Sequence, residues 1–291
     1  MPATLNTPTP AASVVVMTLN LWADYRWPLR QQALRRLLEL RAPDVLAVQE
    51  LTPATAAVID DCLPEHDRVR EDVPGWEPVG NLWWDRRLLS SIAHGAEPIG
   101  GDDPRRQLFW VRLRPHGSAR EVIVATAHFV WSGNAEELRD SHNPRLEQTR
   151  RCIALLEELA GDGACLFMGD LNDAVHPVRI LRTAGFQDSF TALGSLPVPT
   201  HPTVPTGREH DIWPTFETPM VLDWQFHRGP IRPRMTEAVE LFAGEIAPSD
   251  HKPVVTLYAL DPHREQPDGQ AGEHAAGQPD DQAPDPAGEP S

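Results

Sequence analysis

Cysteine is scarce in this sequence, and the three that occur form no metal-binding or disulfide pattern. Cys62, Cys152 and Cys165 lie far apart, without a CxxC pair or zinc-finger spacing. Cys152 falls within a helical pattern and Cys165 within an apolar strand pattern, which predicts buried free thiols. Because unpaired cysteines are typical of reducing compartments, we expect a cytoplasmic location.

Long apolar runs are also lacking. No stretch approaches the roughly 20 apolar residues that a membrane-spanning helix needs. The first residues, MPATLNTPTPAAS, have neither the basic region nor the apolar region of a signal peptide. We therefore expect no membrane anchor, and no sequence feature indicates a partner protein.

Positive charge is in short supply. The chain has 26 Lys and Arg residues against 42 Asp and Glu residues, a formal net charge of −16, and Lys252 is its only lysine. Proteins that bind nucleic acid tightly and without sequence preference have a basic surface. The composition argues against that class, but it allows an enzyme that contacts nucleic acid transiently with bound cations.

The acidic excess is concentrated at the C-terminal end. Residues 261–291 contain eight acidic residues, one Arg and six Pro, but no Leu, Ile, Val, Phe, Trp or Tyr. Such a segment cannot bury enough apolar surface to offset the entropy lost on ordering. We predict a disordered acidic, Pro-rich tail over 261–291, a flexible N-terminus over 1–13 and one domain over 14–260.

Apolar runs rich in β-branched residues predict eight buried strands. They are 14–20, 44–50, 80–84, 108–113, 122–129, 164–170, 220–226 and 253–260. Helical patterns cover 28–41, 144–160 and the segment from Pro177 to Gly185, and Pro-rich residues 196–219 predict a long loop. This arrangement predicts a layered body, with two sheets packed face to face and helices outside.

Polar side chains stand where several predicted strands end. They are Asn20, Glu50, His128 and Asp170, with Asp223 inside a strand and Asp250 and His251 just before the last strand. A packed sheet fixes such a side chain while leaving its tip accessible. Carboxylates, amides and imidazoles without clustered cysteine suit Mg²⁺ or Mn²⁺ better than a structural zinc ion.

Seven short stretches together resemble the endonuclease/exonuclease/phosphatase superfamily, which includes DNase I. They are TLNLW (18–22), VQE (48–50), GN (80–81), TAHF (126–129), GDLND (169–173), LDWQF (222–226) and SDHKPV (249–254). Each is weak alone, but they occur in the family's order and span 14–260. The resemblance implies the DNase I-like α+β fold, a four-layer α/β sandwich with two mixed β-sheets and helices outside.

The resemblance also implies a role for each polar residue. The metal ligands would be Glu50, Asp250, Asn20 and Asp170; the catalytic residues Asp170, His251, His128, Asp223 and Asn172; the phosphate-binding residues Asn20, Asn172 and Asn81. Asp170 would orient or deprotonate water, and His251, paired with Asp223, would donate a hydrogen bond to phosphate. His128 would bind a phosphate oxygen or protonate the leaving group. Judged alone, a glutamate at a strand end is usually solvated, and Asn20 or Asn172 could simply form turns.

The function implied is a Mg²⁺- or Mn²⁺-dependent phosphoesterase that hydrolyses a phosphodiester by in-line attack of water. Its phosphoester substrate would be a nucleic acid, a lipid or a small molecule. A phosphomonoesterase, a catalytically silent phosphate-binding member and a zinc hydrolase remain alternatives; His128 favours the diesterase because it matches the diesterase branches. Six other histidines are expected to be exposed loop residues, namely His94, His116, His142, His176, His201 and His210.

Overall fold

The computed structural model describes residues 12–71, 75–76, 79–203 and 218–260. In these residues the strands are β1 (Ser13–Asn20), β2 (Val45–Gln49), β3 (His66–Arg68), β4 (Gly80–Asp85), β5 (Leu89–Pro98), β6 (Gln107–Pro115), β7 (Val122–His128), β8 (Ala164–Asp170), β9 (Gln187–Asp188), β10 (Asp223–Arg228), β11 (Ile231–Ala238) and β12 (Val254–Leu260). The helices are α1 (Gln31–Arg41), α2 (Pro53–Cys62), α3 (Ala135–Asp140), α4 (Arg145–Ala160), α5 (His176–Thr183) and α6 (Ser189–Ala192).

The strands form two six-stranded sheets of mixed direction. The first has the order β11-β12-β1-β2-β4-β3 and the second the order β5-β6-β7-β8-β10-β9. Parallel pairing joins β1 to β2 and β7 to β8, and the other recorded pairs are antiparallel. In each parallel pair the strand ends meet at one edge, which brings the predicted polar strand ends together.

Three apolar clusters hold four layers in place. The cluster between the sheets includes Trp76, Phe109 and Met168. A second joins α1 and α2 to the outer face of the first sheet, and a third joins α4 and α5 to the outer face of the second sheet. The predicted DNase I-like sandwich is therefore confirmed.

Helix α1 shows how the sequence produces this layering. Leu34, Leu37 and Leu38 are spaced to share one helical face, and all three are buried. The helix ends at Arg41 and is capped by Ala42, which has a left-handed conformation (φ 36°) and donates its N–H to the carbonyl of Leu38. The chain then enters β2, so the helix covers the strand that follows it.

All eight predicted strands are present, with ends that differ by up to three residues. The predicted helix 28–41 begins only at Gln31, because turns occupy the preceding residues. The predicted strand 220–226 begins at Asp223, because the hydroxyl of Thr200 accepts the N–H groups of Leu222 and Asp223 at 3.0 and 3.1 Å. These two hydrogen bonds hold the chain before Asp223 in a loop.

Some predicted features fall outside the described residues. The acidic tail over 261–291 does so entirely, as do residues 1–11 of the predicted N-terminus and 204–217 of the predicted loop. Ser13 already belongs to β1. Cys152 and Cys165 are buried and free, as predicted, and burial raises the pKa of both thiols. Among the helices described, none has the length and apolar character needed to cross a bilayer.

Candidate active site

Three neighbouring strands of the second sheet place ionisable side chains side by side. His128 at the end of β7 pairs in register with Asp170 at the end of β8. Asp170 in turn pairs with Asp223 at the start of β10, which runs antiparallel to β8. All three side chains are buried. The register alone thus produces a row of one imidazole and two carboxylates.

Gly169 allows this row to form. A side-chain carbon at this position would lie 2.0 Å from the carbonyl oxygen of Ala127 on the neighbouring strand, and φ is +143°. Only glycine fits such a close approach of two backbones with this conformation. The glycine of the GDLN stretch therefore sets Asp170 beside His128.

The first sheet contributes the opposite wall of the site. Asn20 at the end of β1 pairs with Gln49, and Glu50 follows in a left-handed turn (φ 54°). The side-chain amide of Asn20 donates to Glu50 Oε1 at 3.2 Å and across the sheets to Asp170 Oδ2 at 3.0 Å. One amide thus links the carboxylates of the two sheets.

Asp170 Oδ2 lies at the centre of the cluster. It accepts from the amides of Asn20 and Asn172, the latter at 3.3 Å, and Oδ1 accepts the N–H of Asn172 at 2.9 Å. The Nε2 atoms of His128 and His251 lie 3.6 and 3.8 Å from Oδ2. Burial raises the pKa of Asp170, and although His251 lowers it, the net shift is upward.

His251 is held as a cation by its carboxylate neighbours. Its Nδ1 lies 2.7 Å from Asp223 Oδ2, a distance at which the ring donates its proton to the carboxylate. Burial by itself lowers the pKa of His251, but the charges of Asp223 and Asp170 outweigh it and hold the pKa well above its usual value. Asp223 also fixes the orientation of the ring.

His128 is a neutral imidazole in the same cluster. Burial lowers its pKa well below the usual value, and the positive charges of Arg106 and His251 lower it further. Its Nε2 is 3.8 Å from Glu50 Oε1, beyond hydrogen-bond distance. The site therefore combines one charged and one neutral histidine.

Two predicted site asparagines, Asn20 and Asn172, make contacts that the sequence did not indicate. Asn20 was expected to be a metal ligand, but its Oδ1 accepts the N–H of Trp22 at 2.9 Å, so Asn20 faces the carboxylates as a donor. The amide of Asn172, expected to face phosphate, donates to the carbonyl of Phe129 at 3.0 Å as well as to Asp170. Either amide could donate to a phosphate only by exchanging a partner, whereas the oxygen of Asn20 keeps a second lone pair with which it could bind a metal ion.

Asn81 does not join the site. Its buried amide donates to the carbonyls of Val69 at 3.1 Å and Trp76 at 3.0 Å, and its oxygen accepts the N–H of Leu82 at 2.7 Å. These bonds fix the segment beside β4. The structure gives no support to the expectation that Asn81 binds phosphate, because its polar groups are engaged with the backbone.

The segment before β12 is bonded to both sides of the site. Ser249 Oγ donates to the carbonyl of Asn20 at 2.6 Å and accepts the N–H of His251 at 3.1 Å. The carbonyl of Asp250 accepts the N–H of Thr203 at 2.6 Å. Asp250 is thereby placed among the strand ends, as the sequence predicts.

Arg30 is a buried residue that sequence reasoning missed. Its guanidinium donates to the carbonyls of Leu21, Trp22, Ala23, Tyr25 and Pro248. It thus connects the segment after Asn20 to the segment before Asp250. Burial lowers the pKa of Arg30 to about 10, while Asp250, Asp24 and Glu50 raise it. An arginine at a helix start usually lies in solvent, so no sequence signal marked it.

His201 was also misjudged, because the prediction placed it among exposed loop histidines. Its side chain is only 12% exposed, and its Nε2 lies 3.6 Å from Asp250 Oδ2. The centroid of its ring is 4.6 Å from that of His251. The pairing of its segment with Met220 is a long-range contact with no local sequence signal.

Two basic residues near the site bind the backbone. Arg106 donates to the carbonyl of His128 at 2.8 Å, and Arg145 donates to the carbonyl of Val130 at 3.2 Å. Gln148 accepts the N–H of Val130 at 3.2 Å. These contacts fix the loop after β7 and the start of α4.

The carboxylates of the site are suited to bind a divalent metal ion. They belong to Glu50, Asp170, Asp223 and Asp250. Burial raises the pKa of Glu50, and the charge of Asp250 raises it further, although Asn20 and His251 lower it. Burying several carboxylates together is costly unless a cation compensates them. Oxygen donors of this kind fit Mg²⁺ or Mn²⁺, and one ligand atom each of Asp170, Asp223 and His251 lie within 4.8 Å of one another.

The chain is similar to known proteins in sequence pattern and in fold. The family model "Endonuclease/Exonuclease/phosphatase family" matches residues 17–251. Among curated proteins no significant match is found. D. rerio TDP2 complexed with single strand DNA product has a TM-score of 0.67 at 17% identity, with 85% of this chain and 99% of that chain covered.

Two further solved structures agree. Truncated Caenorhabditis elegans TDP2 has a TM-score of 0.65 at 18% identity, covering 85% of this chain and 98% of that chain. The endonuclease/exonuclease/phosphatase from Bacteroides vulgatus has a TM-score of 0.69 at 15% identity, covering 86% of this chain and 100% of that chain. At such low identity these likenesses establish the fold alone.

Proposed function

Because the chain belongs to the endonuclease/exonuclease/phosphatase family, whose members are hydrolases that act on phosphoester bonds, we propose that it is a metal-dependent phosphodiesterase. It would cleave a P–O bond by in-line attack of water. The observation that carries the proposal is the position of Asp170, a buried carboxylate between charged His251 and neutral His128. A base and two imidazole donors then converge on one point.

The metal would be held by Glu50 and Asp250, with Asp170 beside them. When bound, Mg²⁺ or Mn²⁺ supplies positive charge to the phosphate oxygens and to the leaving oxygen. Burial and the charge of Asp250 both raise the pKa of Glu50, and a bound cation would relieve this cost, which supports a metal ion at this position.

Asp170 would accept the proton of the attacking water. A raised pKa makes a carboxylate a better proton acceptor, and burial supplies that shift here. The amides of Asn20 and Asn172 hold the carboxylate in one orientation. Because in-line attack depends on alignment, this fixed geometry contributes to the rate as well as to binding.

The two histidines would treat the phosphate differently. His251, held cationic by Asp223, would donate to an oxygen on which negative charge develops. His128, held neutral, would donate its N–H to a phosphate or leaving oxygen without adding a full charge. This second imidazole favours a diester over a monoester, the alternative substrate.

The substrate class is proposed from the surroundings of the site. The net charge of −16 opposes a long polyanion such as duplex DNA. Trp131, in the loop after β7, is 58% exposed and could stack on a base or another aromatic group. Since the D. rerio TDP2 structure contains a single-stranded DNA product, a short single strand is the nucleic acid to test first. The free thiols Cys152 and Cys165 favour a cytoplasmic location.

A panel of phosphoesters with Mg²⁺ or Mn²⁺ tests the proposal. It compares bis-p-nitrophenyl phosphate with p-nitrophenyl phosphate, and short single-stranded DNA with plasmid DNA, RNA, inositol phosphates and sphingomyelin. We expect the diester to be cleaved faster than the monoester. Asp170→Asn and His251→Ala should abolish cleavage, whereas Asp67→Asn, which changes an exposed aspartate on β3, should not. Cleavage of monoesters alone, or of nothing in the panel, would overturn the proposal.

A further inference from the structure

His201 belongs to none of the sequence stretches that resemble the family, yet it lies against the site. Its Nε2 is 3.6 Å from Asp250 Oδ2, and its ring lies 4.6 Å from the ring of His251, tilted by 43°. One ligand atom each of His201, Asp250 and His251 lie within 4.8 Å of one another. Two imidazoles and a carboxylate therefore converge beside Asp170, whose Oδ2 lies 3.8 Å from His251 Nε2.

The backbone holds His201 firmly in this position. Its N–H donates to the carbonyl of Met220 at 3.1 Å, and its carbonyl accepts the N–H of Met220 at 2.8 Å. On one side of it, the carbonyl of Thr200 accepts the N–H of Lys252 at 2.7 Å. Because Lys252 follows His251 directly, the same bond joins the backbone segments that carry the two imidazoles.

The spacing suits a tetrahedral metal ion. Zinc binds imidazole nitrogen and carboxylate oxygen at about 2.0–2.1 Å, which places two tetrahedral ligand atoms roughly 3.3 Å apart. The 3.6 Å between His201 Nε2 and Asp250 Oδ2 differs little from that separation. The ligand atom of His251 lies within 4.8 Å of both.

The environment of His251 matches that of a metal-ligating histidine. A ligating imidazole commonly donates its other ring N–H to a carboxylate, which orients the ring and increases its basicity. Asp223 accepts from Nδ1 of His251 at 2.7 Å, so Nε2 is the nitrogen left for an ion.

We propose that His201, Asp250 and His251 form a second cation site that prefers Zn²⁺ or Co²⁺ to Mg²⁺. Imidazole nitrogens suit these transition metals, whereas Mg²⁺ prefers oxygen. A coordinating imidazole must be neutral, so the ion displaces the proton on His251, which passes to solvent. An ion here occupies His251, and Zn²⁺ therefore inhibits any reaction that uses this residue.

Cobalt absorption tests the site without any substrate, so the result does not depend on the phosphoesterase proposal. Co²⁺ added to the full chain is expected to give the visible absorption of a four-coordinate site with nitrogen ligands, saturating at one equivalent. His201→Asn should abolish this absorption and weaken Zn²⁺ binding, measured by calorimetry, about tenfold or more. The matched control is His116→Asn, which changes an exposed histidine bonded to Ser90 and should leave both unchanged.

A further variant and a measurement on the unaltered protein complete the test. Glu50→Gln should retain the cobalt absorption, because Glu50 is not one of the three ligands of the second site. X-ray absorption of the zinc-loaded chain should show two imidazole ligands, a result independent of how any variant folds. Fewer than two imidazoles, an unchanged His201→Asn spectrum, or loss of absorption in Glu50→Gln would each overturn the proposal.

Discussion

Asp170 and His251 have pKa values shifted in the same direction but need opposite protonation states. Asp170 acts as a base only after it loses its proton, and burial raises its pKa. His251 donates charge only while protonated, and its carboxylate neighbours raise its pKa well above the usual value. Activity should therefore rise with pH as Asp170 ionises and fall with pH as His251 loses its proton.

Replacing Asp223 by Asn tests this assignment. Removing the carboxylate removes the charge that raises the pKa of His251, so the alkaline limb of the profile of kcat/KM against pH should move to lower pH. The rate at the optimum should fall by about 10²-fold or more, because the ring loses its partner. Asp67→Asn serves as the control with an unchanged profile, and an unshifted alkaline limb in Asp223→Asn would contradict the role given to His251.

The same shift predicts how stability depends on pH. The folded-state pKa of His251 lies above its unfolded value, so its interaction with Asp223 contributes fully below the unfolded pKa. That contribution is lost as the pH rises through the folded-state pKa. The difference in free energy of unfolding between the chain and Asp223→Asn, measured with urea, should therefore shrink at alkaline pH; a difference that grows there would be inconsistent with a charged His251.

Arg30 should be among the residues least tolerant of change. Arg30→Met leaves several buried carbonyls without a donor, and each such group costs about 1–3 kcal/mol. We expect at least about 3 kcal/mol of destabilisation in urea unfolding. Arg36→Met, which changes an exposed arginine of α1, the helix that follows Arg30, should stay within about 0.5 kcal/mol. An equal loss in free energy of unfolding for both variants would contradict the structural role given to Arg30.

At the scale of single residues, local pattern identified the acids and histidines of the site but missed His201 and Arg30. His128, Asp170 and Asp223 lie at strand ends within recognisable stretches, where register fixes their position, and Glu50 directly follows β2. The surroundings of His201 and Arg30 come from segments far away in the chain, at Met220 and Pro248. Composition and periodicity carry no information about such contacts.

At the scale of elements, the strands that the apolar pattern predicted are buried along most of their length. β7 and β8 are buried along their whole length and appear as apolar runs. β5 and β11 are edge strands with largely exposed residues, so they show no apolar run and were missed. α2 did have a local signal, since Thr52 caps it and Pro53 occupies its first turn.

The pairing of β7 with β8 depends on Gly169. In Gly169→Ala a methyl carbon would have to occupy space 2.0 Å from the carbonyl of Ala127, so the two backbones must separate. We expect a loss of about 3 kcal/mol or more, together with loss of activity, because His128 and Asp170 no longer align. Gly117→Ala also has a positive φ but meets nothing within 4 Å, and should cost only about 1 kcal/mol. Urea unfolding compares the two, and equal costs would argue against the close contact.

At the scale of the whole molecule, the net charge divides into two parts with different consequences. Seven of the sixteen net negative charges belong to residues 261–291, which we predict to be dispensable for catalysis. A chain ending at Leu260 should cleave bis-p-nitrophenyl phosphate with an unchanged kcat/KM. Its KM for short single-stranded DNA should fall at low salt, because like charge has been removed, and that difference should disappear at high salt. Loss of diester cleavage on truncation would give the tail a role in the site.

The bond between Asn20 and Asp170 crosses from one sheet to the other. Its length therefore acts as a gauge of how far apart the two sheets stand. Side chains that fill the gap between the sheets, such as Phe109 and Met168, set that separation without reaching the site. A substitution that changes the side-chain volume there would shift Asp170 relative to Asn20. The rate of hydrolysis should therefore fall when the two sheets move apart slightly, even where the free energy of unfolding is unchanged.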